Sequence, residues 1–238
     1  KTYTYIYASL ADLAQVVAVA DVVDGLPEKR AQSLSDAYQT EAYRSKTLAS
    51  DTLAWISPGK VESEKNKLAK YSEAASAAAD VKIRTYRTYE DLLKDDEVQV
   101  LVLLTPPTVR AAPTIAAAES GRHVFTEGPI ARSVQEADAM IAAVTRAGVK
   151  LHSQVADRYP RGMQLAKNAV ASGLMGKMGS ATVENHLYHP QTYYEHMGLT
   201  QWGTKMVRDW MGTWEGEGGG AIFHHGRYIV DPFLWIVS

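Results

Sequence analysis

The sequence predicts an α/β fold built on a parallel β-sheet, because short apolar strands alternate with helical segments through the first 155 residues. The runs over 16–20 and 98–104 have the continuous apolar character of strands that are buried on both faces. Alternation of strands with helices favours parallel pairing, with helices covering the sheet. The pattern changes after residue 155, so we predict a first domain over 1–155 and a second over 156–238.

The strands of the first domain are predicted from β-branched and apolar runs that end at polar or turn residues. They cover 16–20, 81–86, 98–104, 123–126 and 149–153. Thr105, Pro106 and Pro107 end the third run, and Gly128 with Pro129 ends the fourth, because proline cannot continue a central strand.

The helices are predicted from runs of strong helix formers and from their end signals. They cover 28–55, 61–79, 89–94, 113–119, 133–146 and 163–172. Ser133 followed three residues later by Glu136 is a capping-box pattern, and Gly121 and Gly148 are predicted to end two of these helices. In the second domain, 180–189 alternates like a strand, and 221–235 is predicted to be one helix.

Composition and charge argue against several functional classes. The 238-residue chain is 46% hydrophobic and 22% charged, with a net charge of −2 and no cysteine. That balance favours neither nucleic acid nor a membrane surface as a partner, and a disulfide framework is excluded. No apolar run reaches the roughly 18 residues of a membrane helix. We therefore predict a cytoplasmic protein, and no metal site.

The carboxyl ends of parallel strands lie along one edge of a sheet, where ligands bind. Asp21, the loop 105–107 and the loop 127–129 are thus expected to share one rim. Asp21 after its strand is placed to hydrogen-bond a ribose hydroxyl of a dinucleotide. The alternative is a loop or cap acid, since no glycine-rich turn precedes it in residues 1–15.

A second set of polar residues lies near the carboxyl end of the chain. On a continuous helix, His224, Tyr228 and Asp231 share one face, where they could relay a proton, while His225 points elsewhere. The alternative is a capped helix with a packed tyrosine. Similarly, the aromatic stretch 202–214 could stack on a sugar or could pack in the core. His186, Tyr188 and His189 do not complete a zinc site.

Several ordered motifs resemble one known family. They are VVAVAD, YEDLLKDDEVQVLVLLTP, AAAESGRHVFTEGPIA, RYP, SGLMGKMG and GTWEGEGGGAIFHHG. Together they resemble the glucose-fructose oxidoreductase, inositol dehydrogenase and MocA (Gfo/Idh/MocA) family from about residue 14 onward. The resemblance implies a Rossmann-type domain followed by part of an α/β substrate domain with an open sheet that often builds homo-oligomers. It also implies that this sequence lacks the first strand, the glycine-rich turn and most of the second sheet.

The resemblance implies NAD, with NADP possible, and assigns cofactor contacts to five positions. Asp21 matches the acid at the ribose and favours NAD. Thr105 and Pro106 match the loop beside the nicotinamide, and Glu127 and Pro129 match the acid and proline that flank a family lysine. In place of that lysine stands Gly128. Beyond Pro106, the usual asparagine and histidine are Pro107 and Arg110.

The family's aspartate and histidine near the carboxyl end are His224 and Tyr228 here. The resemblance therefore predicts a rewired catalytic pair, His224 and Tyr228, in which the histidine assists a phenol whose reference pKa is about 10. Lys205 or Arg208 could supply a nearby cation. Arg158 and His225 are expected at the substrate, which the resemblance makes a sugar, cyclitol or related polyol.

Three functions remain open from the sequence. The first is an NAD(P)-dependent oxidoreductase that transfers hydride to or from such a polyol. The second is a glycosidase or epimerase that oxidises its substrate transiently. The third is a non-catalytic relative that binds cofactor or sugar.

Overall fold

The computed structural model describes residues 2–154, 156–188, 190, 214 and 218–238. The chain divides into two compact units, Lys1–Val98 and Gln99–Ser238. The predicted domain boundary after residue 155 falls inside the second unit and stays a prediction.

The first unit contains a two-stranded parallel sheet and four helices. Strand β1 (Ala18–Ala20) pairs with β2 (Arg84–Tyr86), with Ala18 opposite Arg84. The helices are α1 (Thr2–Ala8), α2 (Leu26–Ala49), α3 (Val61–Asp80) and α4 (Tyr89–Leu92). The predicted helices are confirmed, although α2 ends six residues before the predicted limit, and α1 was not predicted.

Small side chains allow helices α2 and α3 to pack closely. Ala37, Tyr38 and Ala78 are buried in one cluster together with Ala8 of α1. The Tyr38 hydroxyl accepts a hydrogen bond from the Val16 amide at 3.1 Å, so this buried phenol is not left unpaired. Apolar packing thus joins α1, α2 and α3, and a neutral hydrogen bond joins α2 to the segment before β1, while the Arg84–Asp95 ion pair at 2.6 Å ties β2 to the segment after α4.

The second unit contains a three-stranded parallel sheet in the order β3-β4-β5. The strands are β3 (Val100–Leu103), β4 (His123–Thr126) and β5 (Leu151–Ser153). Leu103 lies opposite Thr126, which lies opposite Ser153. The carboxyl ends of the three strands are thus level, and the loops that follow them leave from one edge.

The helices of the second unit are α5 (Ala111–Glu119), α6 (Val134–Ala147), α7 (Arg161–Ala171), α8 (Gly220–His224) and α9 (Arg227–Val237). Ser133 caps α6 as predicted, with its hydroxyl accepting from the Glu136 amide at 3.2 Å. Gly148 ends that helix in the left-handed conformation at φ 67°. These ends form as predicted because their signals are local.

Three expectations differ from the structure. One continuous sheet was expected in the first domain, whereas the strands form two separately hydrogen-bonded sheets. Residues 180–188 are exposed and form no strand, since no described strand pairs with them. A turn at His225 and Gly226 separates α8 from α9, so the i, i+4 spacing that placed His224 and Tyr228 on one helical face does not apply.

Gly226 permits the close packing of the chain at this interruption. A Cβ atom there would lie 2.2 Å from the Ile222 carbonyl oxygen, so only glycine allows this close approach.

None of the helices in the described part of the chain has the length and apolar character that crossing a bilayer requires.

Candidate functional site

The predicted cofactor residues of the second unit lie along one edge of its sheet. Thr105 and Pro106 follow β3, and Glu127 and Pro129 follow β4, which is hydrogen-bonded to it. The Glu127 amide donates to the Leu103 carbonyl at 3.1 Å, which extends the pairing past the end of the strands. The structure therefore brings these four residues together, as the parallel-sheet argument predicted.

Asp21 lies in the first unit, directly after β1. One of its carboxylate oxygens accepts from the Val23 amide at 2.9 Å, which closes a local turn. This contact fits the loop-acid alternative and uses one of the two carboxylate oxygens. The prediction that Asp21 shares a rim with the other cofactor residues stays a prediction.

Arg110 ties the two loops of this edge together. Its guanidinium donates to the carbonyls of Thr105 at 2.8 Å and Glu127 at 2.6 Å, and also contacts the carbonyl of Pro129. The residue is only 4% exposed. Burial, followed by the charge of Arg227, lowers the pKa of Arg110 to about 10. Arg110 is thus a buried cation, charged at neutral pH, that fixes the loops through main-chain oxygens.

Arg227, the first residue of α9, brings a second cation to the same edge. Its Nη1 atom lies 3.0 Å from Glu127 Oε2 and contacts the Gly128 carbonyl oxygen. The sequence analysis did not assign a role to Arg227. The only sequence signal for it was the missing side chain at Gly128, which left open what supplies a cation there.

Tyr228, a predicted catalytic residue, lies beside this cation. The Arg227 Nη2 atom donates to the Tyr228 hydroxyl oxygen, and the guanidinium carbon lies 4.4 Å from the centre of the phenol ring. The His225 ring, predicted at the substrate, is 6.4 Å from the same ring, centre to centre. Tyr228 remains 40% exposed, so its hydroxyl is accessible to a ligand.

Arg158, also predicted at the substrate, pairs with Asp231 on α9. Its Nε atom lies 2.7 Å from Asp231 Oδ2, and Nη2 contacts the other carboxylate oxygen. The hydrogen bond to Asp231 raises the pKa of Arg158, and the guanidinium lies 5.7 Å from the Trp235 ring centre. The bidentate pair holds α9 to the segment after β5.

A cleft of about 180 Å³ opens between these elements. It is lined by Gly128, Pro129, Ser153, Gln154, Asp157, Arg227, Tyr228 and Asp231. The lining residues include a few with hydroxyl, carboxylate or guanidinium groups, set in a mostly apolar surface. Such a lining is suited to a small polar molecule.

Several predicted residues cannot be placed in this arrangement. The side chain of His224 lies outside the described part of the structure, so its pairing with Tyr228 stays a prediction. Lys205, Arg208, His189 and the stretch 202–213 are also outside the described residues. Among residues that are described, no group of three metal-binding side chains occurs.

A comparison with known protein families identifies a similarity over the segment that contains this edge. Residues 62–155 match the profile of the Gfo/Idh/MocA family, described as an oxidoreductase family with an NAD-binding Rossmann fold. The matched residues include β3, β4, β5 and both loops of the candidate site. Over these residues the chain is similar to the Gfo/Idh/MocA oxidoreductase family. The predicted family resemblance and the Rossmann-type α/β fold are therefore confirmed.

Curated relatives of this Gfo/Idh/MocA segment include enzymes with different reactions. A 1,5-anhydro-D-fructose reductase of Ensifer adhaerens is 28% identical over 107 residues, which is 45% of this chain and 32% of the relative. An alpha-N-acetylgalactosaminidase of Shewanella oneidensis is 28% identical over 127 residues, covering 53% of this chain and 25% of the relative. The chain thus matches about a third or less of these relatives' length.

A solved structure supports the same fold. The WlbA dehydrogenase of Bordetella pertussis, crystallised with NADH and UDP-GlcNAcA, superposes with a TM-score of 0.63 at 22% identity. The superposition covers 100% of this chain and 52% of WlbA. At this identity the likeness establishes the fold of the chain.

Proposed function

We propose that this protein is an NAD(P)-dependent oxidoreductase that transfers hydride to or from a carbinol carbon of a sugar, cyclitol or related polyol. The observation that carries the proposal is the cleft at the carboxyl ends of β4 and β5, inside and beside the NAD-binding Rossmann segment. Ligands of parallel α/β sheets bind at this edge. Ser153, Asp157 and Tyr228 on its lining supply polar groups that can contact substrate hydroxyls.

The residues on this edge fit a bound dinucleotide. The Thr105 Oγ1 atom is buried and has no hydrogen-bond partner in the described structure, which suits a group that a ligand satisfies. Thr105, Pro106, Glu127 and Pro129 would hold the nicotinamide end. When bound, the nicotinamide supplies hydride chemistry that no protein side chain can supply. Asp21 would accept a ribose hydroxyl and would repel a 2′-phosphate, so we propose NAD as the preferred cofactor.

Tyr228 is the residue we assign to the proton of the reacting hydroxyl. Oxidation of an alcohol carbon releases that proton, and the reverse reaction needs one delivered to the carbonyl oxygen. The Tyr228 hydroxyl lines the cleft and accepts from Arg227, so its own hydrogen is free to point toward a substrate oxygen. His224 remains a proposed assistant, and Arg158 and His225 remain proposed substrate residues.

The test of this function is dinucleotide binding followed by turnover. We expect the protein to quench or shift NADH fluorescence on binding, and to change absorbance at 340 nm with a polyol or its keto form. Tyr228→Phe should lower kcat by about 10²-fold or more, the usual contribution of a positioned acid or base, without weakening NADH binding. A protein that binds neither NADH nor NADPH would refute the proposal.

A second candidate is a glycosidase or epimerase that uses NAD without net redox change. The similarity to the Shewanella oneidensis alpha-N-acetylgalactosaminidase favours it. Incubation with glycosides would then release sugar without a lasting change at 340 nm. Net NADH formation from a polyol would instead select the oxidoreductase. Dinucleotide or sugar binding without any turnover would leave the non-catalytic alternative.

The proposal also covers location and assembly. We place the protein in the cytoplasm, where reduced and oxidised dinucleotides are available to it. We propose a small sugar-like substrate as its partner, with neither nucleic acid nor membrane, and a homo-oligomer formed through a second-domain sheet. Light scattering of the purified protein tests the assembly.

A further inference from the structure

The starting observation is the space above Gly128. A Cβ atom at this position would lie 2.7 Å from the Arg227 Nη1 atom and 3.1 Å from the Gln154 carbonyl oxygen. The first distance is shorter than real Cβ contacts. Gly128 does not have a positive φ, so an alanine there would meet no backbone strain. With the Arg227 guanidinium in its observed position, a side chain at 128 would have to displace it and would also press on the Gln154 carbonyl oxygen.

The second observation is how the terminal nitrogens of Arg227 are held. Glu127 Oε2, the Gly128 carbonyl and the Tyr228 hydroxyl all accept from its two terminal nitrogens. Its side chain is only 23% exposed. These contacts place the guanidinium against the Tyr228 hydroxyl on one side and the Glu127 carboxylate on the other.

The third observation concerns charge. Glu127 is the carboxylate that pairs with Arg227, and Arg110 lies close enough to oppose the Arg227 charge. Arg110 uses its donors on main-chain carbonyls and does not line the cleft. Within the described structure, Arg227 is thus the cation that lines the cleft beside Tyr228.

We propose that Arg227 is a positioning residue, admitted to the site by the absence of a side chain at Gly128, and that it orients the Tyr228 hydroxyl toward the substrate oxygen. The functional part of this proposal rests on the oxidoreductase activity proposed above. The structural part, the steric dependence of Arg227 on Gly128, needs neither cofactor nor substrate. The two parts can therefore fail separately.

The structural part is tested by a thermal double-mutant cycle on the unliganded protein. Gly128→Ala should lower the melting temperature by about 2–4 °C, because it displaces the guanidinium from Glu127. In the Arg227→Ala background the same substitution should cost less than about 1 °C, since the added methyl group then meets only the Gln154 carbonyl. Gly179→Ala, at a position with open space, is the control and should be neutral.

Equal losses from Gly128→Ala in both backgrounds would overturn the structural part. They would mean that the alanine clashes with the main chain and not with Arg227. Unequal losses in the stated order would support it. Because neither measurement involves NAD, this result stands even if the protein proves inactive.

The functional part is tested by kinetics and by cofactor binding. Arg227→Ala should lower kcat by about 10-fold or more, with a smaller change in KM and unchanged NADH affinity. Tyr228→Phe should cost no further kcat in the Arg227→Ala background, because Arg227 acts through the tyrosine. Arg227→Lys should recover part of the rate.

The decisive experiment moves the positive charge to another position. Gly128→Lys combined with Arg227→Ala moves the positive charge from α9 to the loop after β4, into the space that the guanidinium leaves. We expect this double variant to recover at least about 5-fold of the lost kcat, whereas Gly128→Lys alone should be impaired by crowding Arg227. Full additivity of Arg227→Ala and Tyr228→Phe, or no recovery in the double variant, would overturn the positioning role.

Discussion

The loop after β1 and the loop after β4 contain similar residues in different surroundings. Each loop follows a parallel strand and begins with an acidic residue, Asp21 or Glu127. Each also contains an acid that pairs with an arginine from elsewhere in the same unit. In the first loop, Arg87 pairs with Asp24, and their side chains are 47% and 99% exposed. In the second, Arg227 and Glu127 are 23% and 18% exposed, and Arg110 is buried.

The difference shows that burial decides what an arginine contributes. An exposed ion pair is screened by water and contributes about 0–1 kcal/mol. A buried guanidinium cannot lose one partner without leaving charged or polar groups unsatisfied. We therefore expect the loop after β4 to be rigid and sensitive to substitution, and the loop after β1 to be tolerant.

The largest expected effect is at Arg110. Arg110→Met should lower the free energy of unfolding by about 3–5 kcal/mol, because three carbonyl groups lose their donor inside the protein. Urea denaturation followed by circular dichroism measures the loss. Arg110→Lys should be intermediate, since an ammonium cannot reach the three carbonyls in the same fixed geometry. A loss under 1 kcal/mol for Arg110→Met would break the contrast between the loops.

The next effect is at Glu127. Glu127→Gln removes the carboxylate that pairs with Arg227 and leaves two arginines close together. We expect a loss of about 1–3 kcal/mol, growing when salt is lowered because repulsion between the arginines is then less screened. Denaturation at two salt concentrations is the measurement. Insensitivity to salt would argue that the two cations do not interact.

A smaller effect is expected at Asp21. Asp21→Ala removes the acceptor for the Val23 amide, which should cost about 0.5–1.5 kcal/mol. Asp21→Asn keeps an acceptor oxygen and should cost less. If Asp21 lies at the ribose, both variants should bind NAD more weakly than the natural protein. Asp21→Asn should bind NADP more tightly than the natural protein does, because it removes the negative charge that repels the 2′-phosphate. Isothermal titration with the two dinucleotides separates the local role from the binding role.

The smallest effect is at the exposed pair. Arg87→Ala, or Asp24→Ala, should change the free energy of unfolding by less than about 0.5 kcal/mol. The double variant should show little coupling in a thermodynamic cycle. A cost above about 1.5 kcal/mol would mean that the Arg87 contact with the Val22 carbonyl supports the loop more strongly than its exposure suggests.

A pH measurement distinguishes the two units further. Burial, with the charges of Glu41 and Asp12, raises the pKa of Tyr71 in the first unit to about 12. Its folded pKa exceeds the unfolded value near 10, so the folded state holds the proton more tightly. The stabilisation is therefore complete below pH 10 and is lost between about pH 10 and 12. Tyr71→Phe should flatten that part of the unfolding curve measured against pH.

Local signals predicted the five strands and helices α2 to α7. Helix α6 begins after Ser133 and ends at Gly148, and each signal lies within about three residues of the helix end. Strands β3 and β4 are predicted by their apolar runs. The break between α8 and α9 was missed, because the close approach of Gly226 to the Ile222 carbonyl is a geometric property that helix propensity does not contain.

The candidate site was predicted in part. The parallel-sheet rule predicted that Thr105, Pro106, Glu127 and Pro129 lie on one edge, which the structure shows, and that Asp21 lies there too, which stays a prediction. The family resemblance identified Gly128 as a departure, without indicating what replaces the absent lysine. The roles of Arg110 and Arg227 were missed, since both arginines act through contacts with residues distant in sequence.

The sequence by itself determined the α/β class, the strand ends and the candidate ligand edge, because periodicity, caps and strand termini depend on near neighbours. Only the tertiary structure decided that Arg227 contacts Gly128, a residue 99 positions away along the chain. Which side chain fills a space left by glycine depends on how α9 packs against the edge of the sheet. Steric fit and burial set that contact, and neither is a property of a short segment.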